Sequence, residues 1–516
     1  MTEEVAKVNE KKAPVWLISV SILLPTAFAM LATSATNVAI PHIAGYFGST
    51  VDEANWVITS YMIANACLIL MTGWLENLMG RKNFLKVFIS IFTVGSLICA
   101  IAPNLNFLVL GRLIQGVGGG PMMPISQAIL LASFPFEKRG FAMSLFGLAV
   151  MVFSILGPSF GGFIVDNSAW QWIYYINIPI GILSVILVHC NIPELEFRKK
   201  IEKIDFPGMI ALVIWLLTMQ VVLDKGQQYN WFDCAWISWL AGISACAMAF
   251  FIVWELECKY SLINLRIFKD KNFFIGTILG SSVNVIIYVT ILLLPQFLQN
   301  MMGYTAMISG FSLAPRVISC VIMLLIIGPL MNVVDNRFLI SSGFFFLGLS
   351  TIMFMNLNLS VSFAYVTIPN IIMGIGVILV FIPVSSLVLG TLPKTELSNG
   401  ASLHSLCKCV ATAFVISMSS TLVARHSQMH QVYLVRHLSN FNLIFQQKFA
   451  AMVHTFMSSA SSVYAHHKAN AYFYKQLIVQ SRLMAFVDVF ELFALLAFIL
   501  IPYAFALKVN IKKREE

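Results

Sequence analysis

The chain contains fourteen apolar stretches that are each long enough to cross a lipid bilayer. A membrane-spanning helix needs about 20 predominantly apolar residues, because the hydrocarbon core is about 30 Å thick and a helix rises about 1.5 Å per residue. The sequence therefore predicts an all-α polytopic membrane protein. The expected spans are residues 15–37, 54–74, 84–102, 106–131, 140–165, 171–190, 206–224, 235–255, 273–298, 308–331, 338–356, 362–390, 401–424 and 484–507.

The distribution of charge is more informative than its total. The 516 residues are 59% hydrophobic and 11% charged, with a formal net charge of +9. Lys and Arg concentrate in alternate links, such as the one with Arg81 and Lys82, and in both tails, whereas the other short links hold almost none apart from Lys225. Positive residues are retained on the cytoplasmic side of a membrane. The pattern predicts cytoplasmic tails at residues 1–14 and 508–516, and no nucleic-acid partner.

Residues 425–483 form an unusually long, polar link rich in Ser, Gln, Ala and His. Apolar residues recur there at helical spacing, which predicts an amphipathic helix outside the cytoplasm. Two interpretations stay open: an outer cap packed on the membrane domain, or a docking surface for another protein. Its histidines could bind metal or sense pH, but such residues are most often solvated, and we predict no metal site. They are His426, His430, His437, His454, His466 and His467.

Charged residues inside the predicted spans are few. Asp488 and Glu491 are the acids that lie clearly within a span, and Arg112, Arg316 and Lys408 are the bases. Placing a charge at membrane depth is energetically costly, so each of these residues is a candidate functional residue.

A glycine-rich basic segment closes the second span. Residues 73–85 read Gly-Trp-Leu-Glu-Asn-Leu-Met-Gly-Arg-Lys-Asn-Phe-Leu. Gly73 and Gly80 permit a tight turn and close helix approach, while Arg81 and Lys82 anchor the cytoplasmic face. The segment resembles the G-x-L-x-D-x-x-G-R-K loop of the major facilitator superfamily. A weaker copy at residues 328–337 is what an internal duplication would leave.

Three further segments carry the resemblance. Residues 110–121 resemble the fourth-span R-x-x-Q-G motif, residues 157–162 resemble the fifth-span antiporter motif, and residues 170–181 look like a conserved family segment. The ordered set, which runs from about residue 25 to 507, is similar to the fourteen-span drug:proton antiporters of the EmrB/QacA type. The long link before the last span is similar to the EmrB branch in particular.

This resemblance implies a major facilitator fold of 14 transmembrane helices. A six-helix bundle over residues 15–190 and a second over 273–507, interrupted by 425–483, would flank two additional helices over 206–255. It also implies export of hydrophobic or amphipathic compounds across a bacterial inner membrane by alternating access. Lipophilic small molecules and membrane lipid are the implied partners, with a periplasmic membrane-fusion adaptor and an outer-membrane channel as further ones.

The proton gradient, rather than a cofactor, is the expected energy source. No G-x-x-x-x-G-K-[ST] phosphate-binding segment occurs in the sequence, so nucleotide-driven pumping is not expected. The resemblance to a transporter family implies that the protein is not an enzyme.

The motifs also suggest roles for particular residues. In the fourth-span motif, the resemblance implies that Arg112 takes part in proton coupling, with Gln115 one turn away and Gly116 beside it; the alternative is a structural cation held by carbonyl groups. In the fifth-span motif, small residues let helix backbones approach and a proline weakens the helix locally. The residues of that motif are Gly157, Pro158, Gly161 and Gly162.

Three positions depart from the family pattern. The usual first-span aspartate is replaced by Ala32, and the aspartate of the signature loop by Asn77. In the thirteenth span, the family's N-x-x-R reads Ser405-x-x-Lys408. With no carboxylate in the first span, proton coupling would need another titratable group.

Asp488 is the first candidate for that group, because the family commonly has an acid at this position of the last span. Glu491 lies one turn further, and His404 precedes Lys408 by four residues on the same helical face. The alternative role for Asp488 is to stabilise the end of the span near the outer interface, or to pair with Lys408 or Arg316.

Substrate recognition is less specific in the sequence, since an adaptable apolar, Met-rich pocket would serve many compounds. Polar residues near the midplane are the candidates: Asn37, Tyr61, Asn65, Gln127, Asn284, Tyr288 and Gln296. Two other functions stay open. One is an exporter or uniporter with altered or absent proton coupling, and the other is a membrane docking protein that transports nothing.

Overall fold

The structure is a computed structural model that describes residues 14–135, 139–192, 205–258, 264–390, 392, 396–439, 441–458 and 461–507. These residues form nineteen α-helices and no β-strand. The helices are α1 (Val15–Phe47), α2 (Val51–Ala54), α3 (Trp56–Met79), α4 (Arg81–Ala100), α5 (Leu105–Gly119), α6 (Met122–Ser133), α7 (Arg139–Asn167), α8 (Trp172–Tyr175), α9 (Asn177–Asn191), α10 (Phe206–Lys225), α11 (Ala235–Glu257), α12 (Lys271–Asn300), α13 (Ala306–Phe311), α14 (Ala314–Val333), α15 (Asn336–Met355), α16 (Phe363–Gly390), α17 (Leu397–Val435), α18 (Leu443–Met457) and α19 (Ser462–Ala504).

Twelve helices of the described residues are long and apolar enough to cross a membrane. The other two expected spans are also helical. The span at residues 54–74 corresponds to α3, whose apolar part is the shorter segment Trp56–Ile69. The span at residues 106–131 is divided between α5 and α6 at Gly120 and Pro121, the two residue types least suited to a helix interior. The all-helical polytopic fold is therefore confirmed.

The helices pack as two groups with a pair between them. In the N-terminal half, α1, α3, α4, α5, α6, α7 and α9 contact one another, and in the C-terminal half α12, α14, α15, α16, α17 and α19 do so. The pair α10 and α11 pack on each other, and α10 also contacts α3 and α17. Only 17% of the apolar window of α11 is buried, as expected for a helix that faces lipid.

The link at residues 425–483 is formed largely by continuations of two spans. The expected spans 401–424 and 484–507 are too short, because α17 has 39 residues and α19 has 43. Helices of this length measure about 58 and 64 Å, roughly twice the thickness of a hydrocarbon core. Apolar residues of α18 pack on α19 around Val453, Ala465 and Ala469. We call residues 425–483 the helical extension; its helix α18 packs on α19.

The signature segment makes a sharp turn between α3 and α4. Gly80 alone separates the two helices and has a φ of 77°, which glycine adopts without the strain that a side chain would introduce. Arg81 on α4 pairs with Glu76 on α3 across this turn, and Lys82 is half-buried beside it. The expected tails at residues 1–13 and 508–516 lie outside the described residues.

Candidate functional site

Helix α7 packs against α1 through the fifth-span glycines. A Cβ atom on Gly161 would lie 2.6 Å from the carbonyl oxygen of Ala35 and 2.8 Å from its Cα. Gly157 contacts the Cβ atom of Ser34, and Gly162 is also buried. Helix α7 continues through Pro158, so the proline does not end it. Only residues without a side chain allow the two backbones to approach this closely.

The other side of α7 contacts the C-terminal half. A Cβ atom on Gly310 of α13 would lie 2.8 Å from the backbone of Ser159, and Gly147 contacts α16. Elsewhere, Gly73 of α3 contacts Asn399 of α17. From the alternation of the helices, Ser159 lies towards the end that carries the helical extension, and Gly73 lies near the opposite end. The two halves therefore touch near both ends of the membrane domain.

Arg112 is fully buried in the N-terminal half. Its Nε donates to the carbonyl oxygen of Val57 at 3.0 Å, and one terminal nitrogen donates to Gln115 Oε1 at 2.6 Å. Gln115 in turn donates to Ser96 Oγ at 2.8 Å. The guanidinium carbon lies 4.3 Å from the ring centroid of Tyr61, an arrangement in which the ring face stabilises the cation. The arginine and the Gln115 of the fourth-span motif thus act as one unit.

Close packing of α5 on α3 brings Arg112 within reach of Val57. A Cβ atom on Gly116 would lie 2.5 Å from the carbonyl oxygen of Tyr61, and one on Gly120 would lie 2.5 Å from that of Asn65. With larger residues at these positions the two helices would separate, and Arg112 could not reach the carbonyl of Val57.

In the described part of the structure, the buried cations have no carboxylate partners. Among the described residues, no acid forms an ion pair with Arg112, Arg316 or Lys408. Arg316 donates instead to Oδ1 of Asn370, from Nε at 3.0 Å and from a terminal nitrogen at 2.7 Å. One guanidinium nitrogen of Arg112 and one of Arg316 have no hydrogen-bond partner. Buried charge without a counter-ion is costly, so this excess of positive charge calls for a functional explanation.

His404 and Lys408 lie one turn apart on α17 and are both buried. Nδ1 of His404 lies 3.2 Å from Thr277 Oγ1 on α12, and Nζ of Lys408 lies 5.2 Å from the ring centroid of Phe381 on α16. Phe381 also contacts Gly147 of α7. The lysine is therefore close to the boundary between the two halves.

Three of the substrate candidates come together at this boundary. Tyr61 of α3 and Tyr288 of α12 lie within electrostatic reach of each other and of Cys409 on α17. Asn65 donates to the Tyr61 hydroxyl at 3.5 Å, and Tyr288 lies beside Ser154 of α7. The tyrosines thus belong to opposite halves.

The remaining substrate candidates are not part of this group. Gln127 is buried, with its Nε2 3.8 Å from Met143 Sδ. Asn284 is half-buried, whereas the side chains of Asn37 and Gln296 are exposed. No hydrogen bond joins these four to one another or to the tyrosines among the described residues.

Asp488 lies away from the buried cations. Its Oδ2 accepts hydrogen bonds from Nδ1 of His426 at 2.7 Å and from Nε2 of His430 at 2.6 Å. His426 follows Lys408 on α17 by 18 residues, or about 27 Å along the helix axis. The alternative in which Asp488 pairs with Lys408 or Arg316 is not the arrangement found among the described residues, where its partners are two histidines at the base of the helical extension. The side chain of Glu491 is exposed.

Sequence reasoning missed two of these contacts. The i, i+4 spacing of His426 and His430 was a signal, because it places both rings on one helical face, but nothing in the sequence placed Asp488 opposite them. In the signature turn, Glu76 pairs with Arg81 next to the position where the family aspartate is replaced by Asn77. The side chain of Asn77 lies outside the described part of the structure.

Two helical halves with a tight α1–α7 contact, a buried arginine and a sharp glycine turn are typical of a membrane transporter built from two helical bundles. The chain belongs to the Major Facilitator Superfamily, whose sequence profile matches residues 22–416. It is similar to the multidrug export protein EmrB of Escherichia coli K12, at 35% identity over 83% of each chain. It is also similar to the fatty acid resistance protein FarB of Neisseria gonorrhoeae, at 32% identity over 84% of this chain and 85% of that one.

A third relative, the probable multidrug resistance protein EmrY of Escherichia coli K12, is 32% identical over 83% of this chain and 84% of that one. These relatives confirm the resemblance to the EmrB branch. Among solved structures, that of the human organic anion transporter MFSD10 has a TM-score of 0.55 at 12% identity, covering 95% of this chain and 99% of that one. At this identity the likeness shows a shared fold.

Proposed function

We propose that the protein exports hydrophobic or amphipathic small molecules across the bacterial inner membrane by alternating access, in exchange for protons. The names of its multidrug-export relatives support export as the direction and small molecules as the cargo. Both termini would be cytoplasmic, as the distribution of Lys and Arg suggests. The helical extension would then lie on the periplasmic side.

The observation that carries the proposal is the position of α7. At Gly161 it packs backbone to backbone on α1, and it also contacts α13, α14 and α16 of the opposite half. A helix packed this closely on both sides suits a hinge-like interface, along which one half rocks against the other while the central site changes access. A docking protein that transports nothing has no need of this interface.

For the proton step we favour His404 and Lys408 over Asp488. Both are buried, titratable and near the boundary between the halves, and no carboxylate pairs with Lys408 among the described residues. Two buried positive charges one turn apart disfavour each other. The pair is therefore suited to hold a single proton that leaves when the site changes access. Arg112, fixed through Gln115, would supply a permanent charge in the N-terminal half.

The same excess of positive charge favours lipophilic anions among the cargo. Arg112 stacks on Tyr61, one of the two tyrosines that face the boundary between the halves. An entering carboxylate would supply the negative partner that Arg112, Arg316 and Lys408 lack among the described residues. The relative named for fatty acid resistance supports this substrate class.

The helical extension is a candidate docking surface for a periplasmic adaptor. Near its tip Phe441 is 99% exposed, and Leu443 and Ile444 are 67% and 65% exposed. Apolar residues this accessible to water are typical of a surface that another protein covers. An outer-membrane channel would then complete the export path.

The test uses everted membrane vesicles energised by respiration, with a pH indicator and a medium-chain fatty acid as cargo. An antiporter in this orientation releases protons from the vesicle lumen when the cargo is added. We expect release from the wild type, loss in Lys408→Gln, and normal release in the matched control Lys448→Gln, whose side chain is exposed on the helical extension.

Each failure has a distinct meaning. Cargo uptake without proton release would support the uniporter with altered coupling. Loss of release in Asp488→Asn with normal release in Lys408→Gln would return the proton step to Asp488. Absence of both uptake and release for a panel of anionic and neutral lipophilic compounds would favour the docking protein.

A further inference from the structure

We propose that His426, His430 and Asp488 bind a divalent transition-metal ion, such as Zn²⁺, at the base of the helical extension. The two histidines are one turn apart on α17, and Asp488 faces them from α19. Nδ1 of His426, Nε2 of His430 and one carboxylate oxygen all lie within 4.8 Å of one another. Within the described ranges, this is the one group of three or more His, Cys, Asp or Glu side chains that could share an ion.

The donor set suits zinc and its neighbours in the first transition row. Two imidazole nitrogens and one carboxylate oxygen are common ligands of Zn²⁺, at about 2.0–2.2 Å from the ion. In a tetrahedral site, neighbouring ligand atoms are then about 3.3 Å apart. The nitrogen–oxygen separations are 2.7 and 2.6 Å, so each pair needs to open by about 0.6 Å to admit an ion, a distance that side-chain torsions can supply.

The site is accessible and leaves a coordination position free. The side chains of His426, Asp488 and His430 are 35%, 28% and 15% exposed. Three protein ligands leave the fourth position of a tetrahedral ion to water. In each hydrogen bond the N–H group of a ring nitrogen points at Oδ2. When an ion binds to these two nitrogens, the proton of each neutral ring moves to its other nitrogen.

A bound ion would join the two longest helices where they leave the membrane domain. At this level α17 and α19 are side by side, and beyond it they carry α18 and the exposed tip. Cross-linking their side chains through one ion would hold the helical extension in a fixed direction relative to the membrane domain. This consequence does not depend on the proposed transport function, and it can be measured without transport.

The test titrates the purified full-length chain, in detergent and stripped of metal, with Co²⁺ as a spectroscopic substitute. We expect one Co²⁺ per chain, with the visible absorption of tetrahedral nitrogen and oxygen coordination. His430→Ala and Asp488→Asn should bind more than about 100-fold more weakly, because loss of a direct ligand costs more than loss of an outer-shell partner. The matched controls His437→Ala and His467→Ala remove exposed histidines outside the group and should bind as the wild type does.

The thermal unfolding midpoint distinguishes a lost metal site from a misfolded variant. Zn²⁺ should raise the thermal unfolding midpoint of the wild type and of both controls, but not of the two ligand variants. The proposal is overturned if the wild type takes up no Co²⁺ at millimolar concentration, or if uptake persists in both ligand variants. It is also overturned by thiolate-to-cobalt charge-transfer absorption, which would show that cysteines bind the ion instead.

Discussion

Replacing Gly161 by Ala places a methyl group against the backbone of α1. The added Cβ would lie 2.6 Å from the carbonyl oxygen of Ala35, where ordinary contact begins at 3.4 Å, so α1 or α7 must move by about 0.8 Å. Overpacking of this kind costs about 1–3 kcal/mol. Alanine also gains about 0.5–1 kcal/mol over glycine inside a helix, and this gain has to be separated from the packing cost.

Gly242→Ala is the matched control. Gly242 lies within α11, and a Cβ atom there would meet no protein atom within 4 Å. Alanine at this position gains helix propensity without overpacking. The two variants should therefore differ in free energy of unfolding by about 1–3 kcal/mol, with Gly161→Ala the less stable. Because the propensity gain is common to both, the difference isolates the α1–α7 contact.

Unfolding can be followed in detergent by the fluorescence of the ten tryptophans, and transport of a fatty acid can be measured in vesicles that contain equal amounts of each variant. We expect Gly161→Ala to unfold at lower denaturant concentration and to transport more slowly, because the two helices can no longer approach during the change of access. If Gly161→Ala is as stable and as active as Gly242→Ala, the close packing of α7 on α1 has no role in the mechanism.

Two other substitutions and one deletion test separate parts of the structure. Arg112→Lys keeps the charge but loses the bonds to Val57 and Gln115, each worth about 1.5–3 kcal/mol as charged hydrogen bonds; transport should fall more than about tenfold with membrane insertion unchanged, and wild-type transport would refute the anchoring role. Gly80→Val forces a branched side chain to a φ of 77° and should lower the thermal unfolding midpoint; an unchanged midpoint would show that the turn can rearrange. Shortening the helical extension should leave transport into everted vesicles intact but abolish cross-linking to a periplasmic adaptor, and cross-linking that survives would place the docking surface elsewhere.

The fold could be predicted because the membrane imposes strong constraints. Span length, the low number of charges and the ordered motifs each report on the bilayer or on backbone packing, and both are encoded locally in the sequence. The ends of α17 and α19 were harder to predict, since a helix that leaves the membrane can continue through polar residues without any change in backbone pattern. Hydropathy marks where lipid ends, which is a different boundary from the end of the helix.

The side-chain partners were less predictable than the spans. The hydrogen bond from Arg112 to Gln115 follows from i, i+3 spacing within one helix. The bonds from His426 and His430 to Asp488 join residues that are about sixty positions apart, and only the register between α17 and α19 brings them together. The sequence alone contains no measure of that register, so it could not single out these two histidines as the partners of Asp488.

The most direct test of proton-coupled export uses purified protein in liposomes, with an imposed pH gradient as the sole energy source and a labelled lipophilic carboxylate as cargo. We predict that the cargo accumulates on the acidic side of the membrane, that accumulation stops when an ionophore removes the gradient, and that Lys408→Gln equilibrates cargo without accumulating it. Accumulation equal to that of protein-free liposomes would contradict transport itself. Wild-type uptake that is the same with and without the pH gradient would contradict the proton coupling.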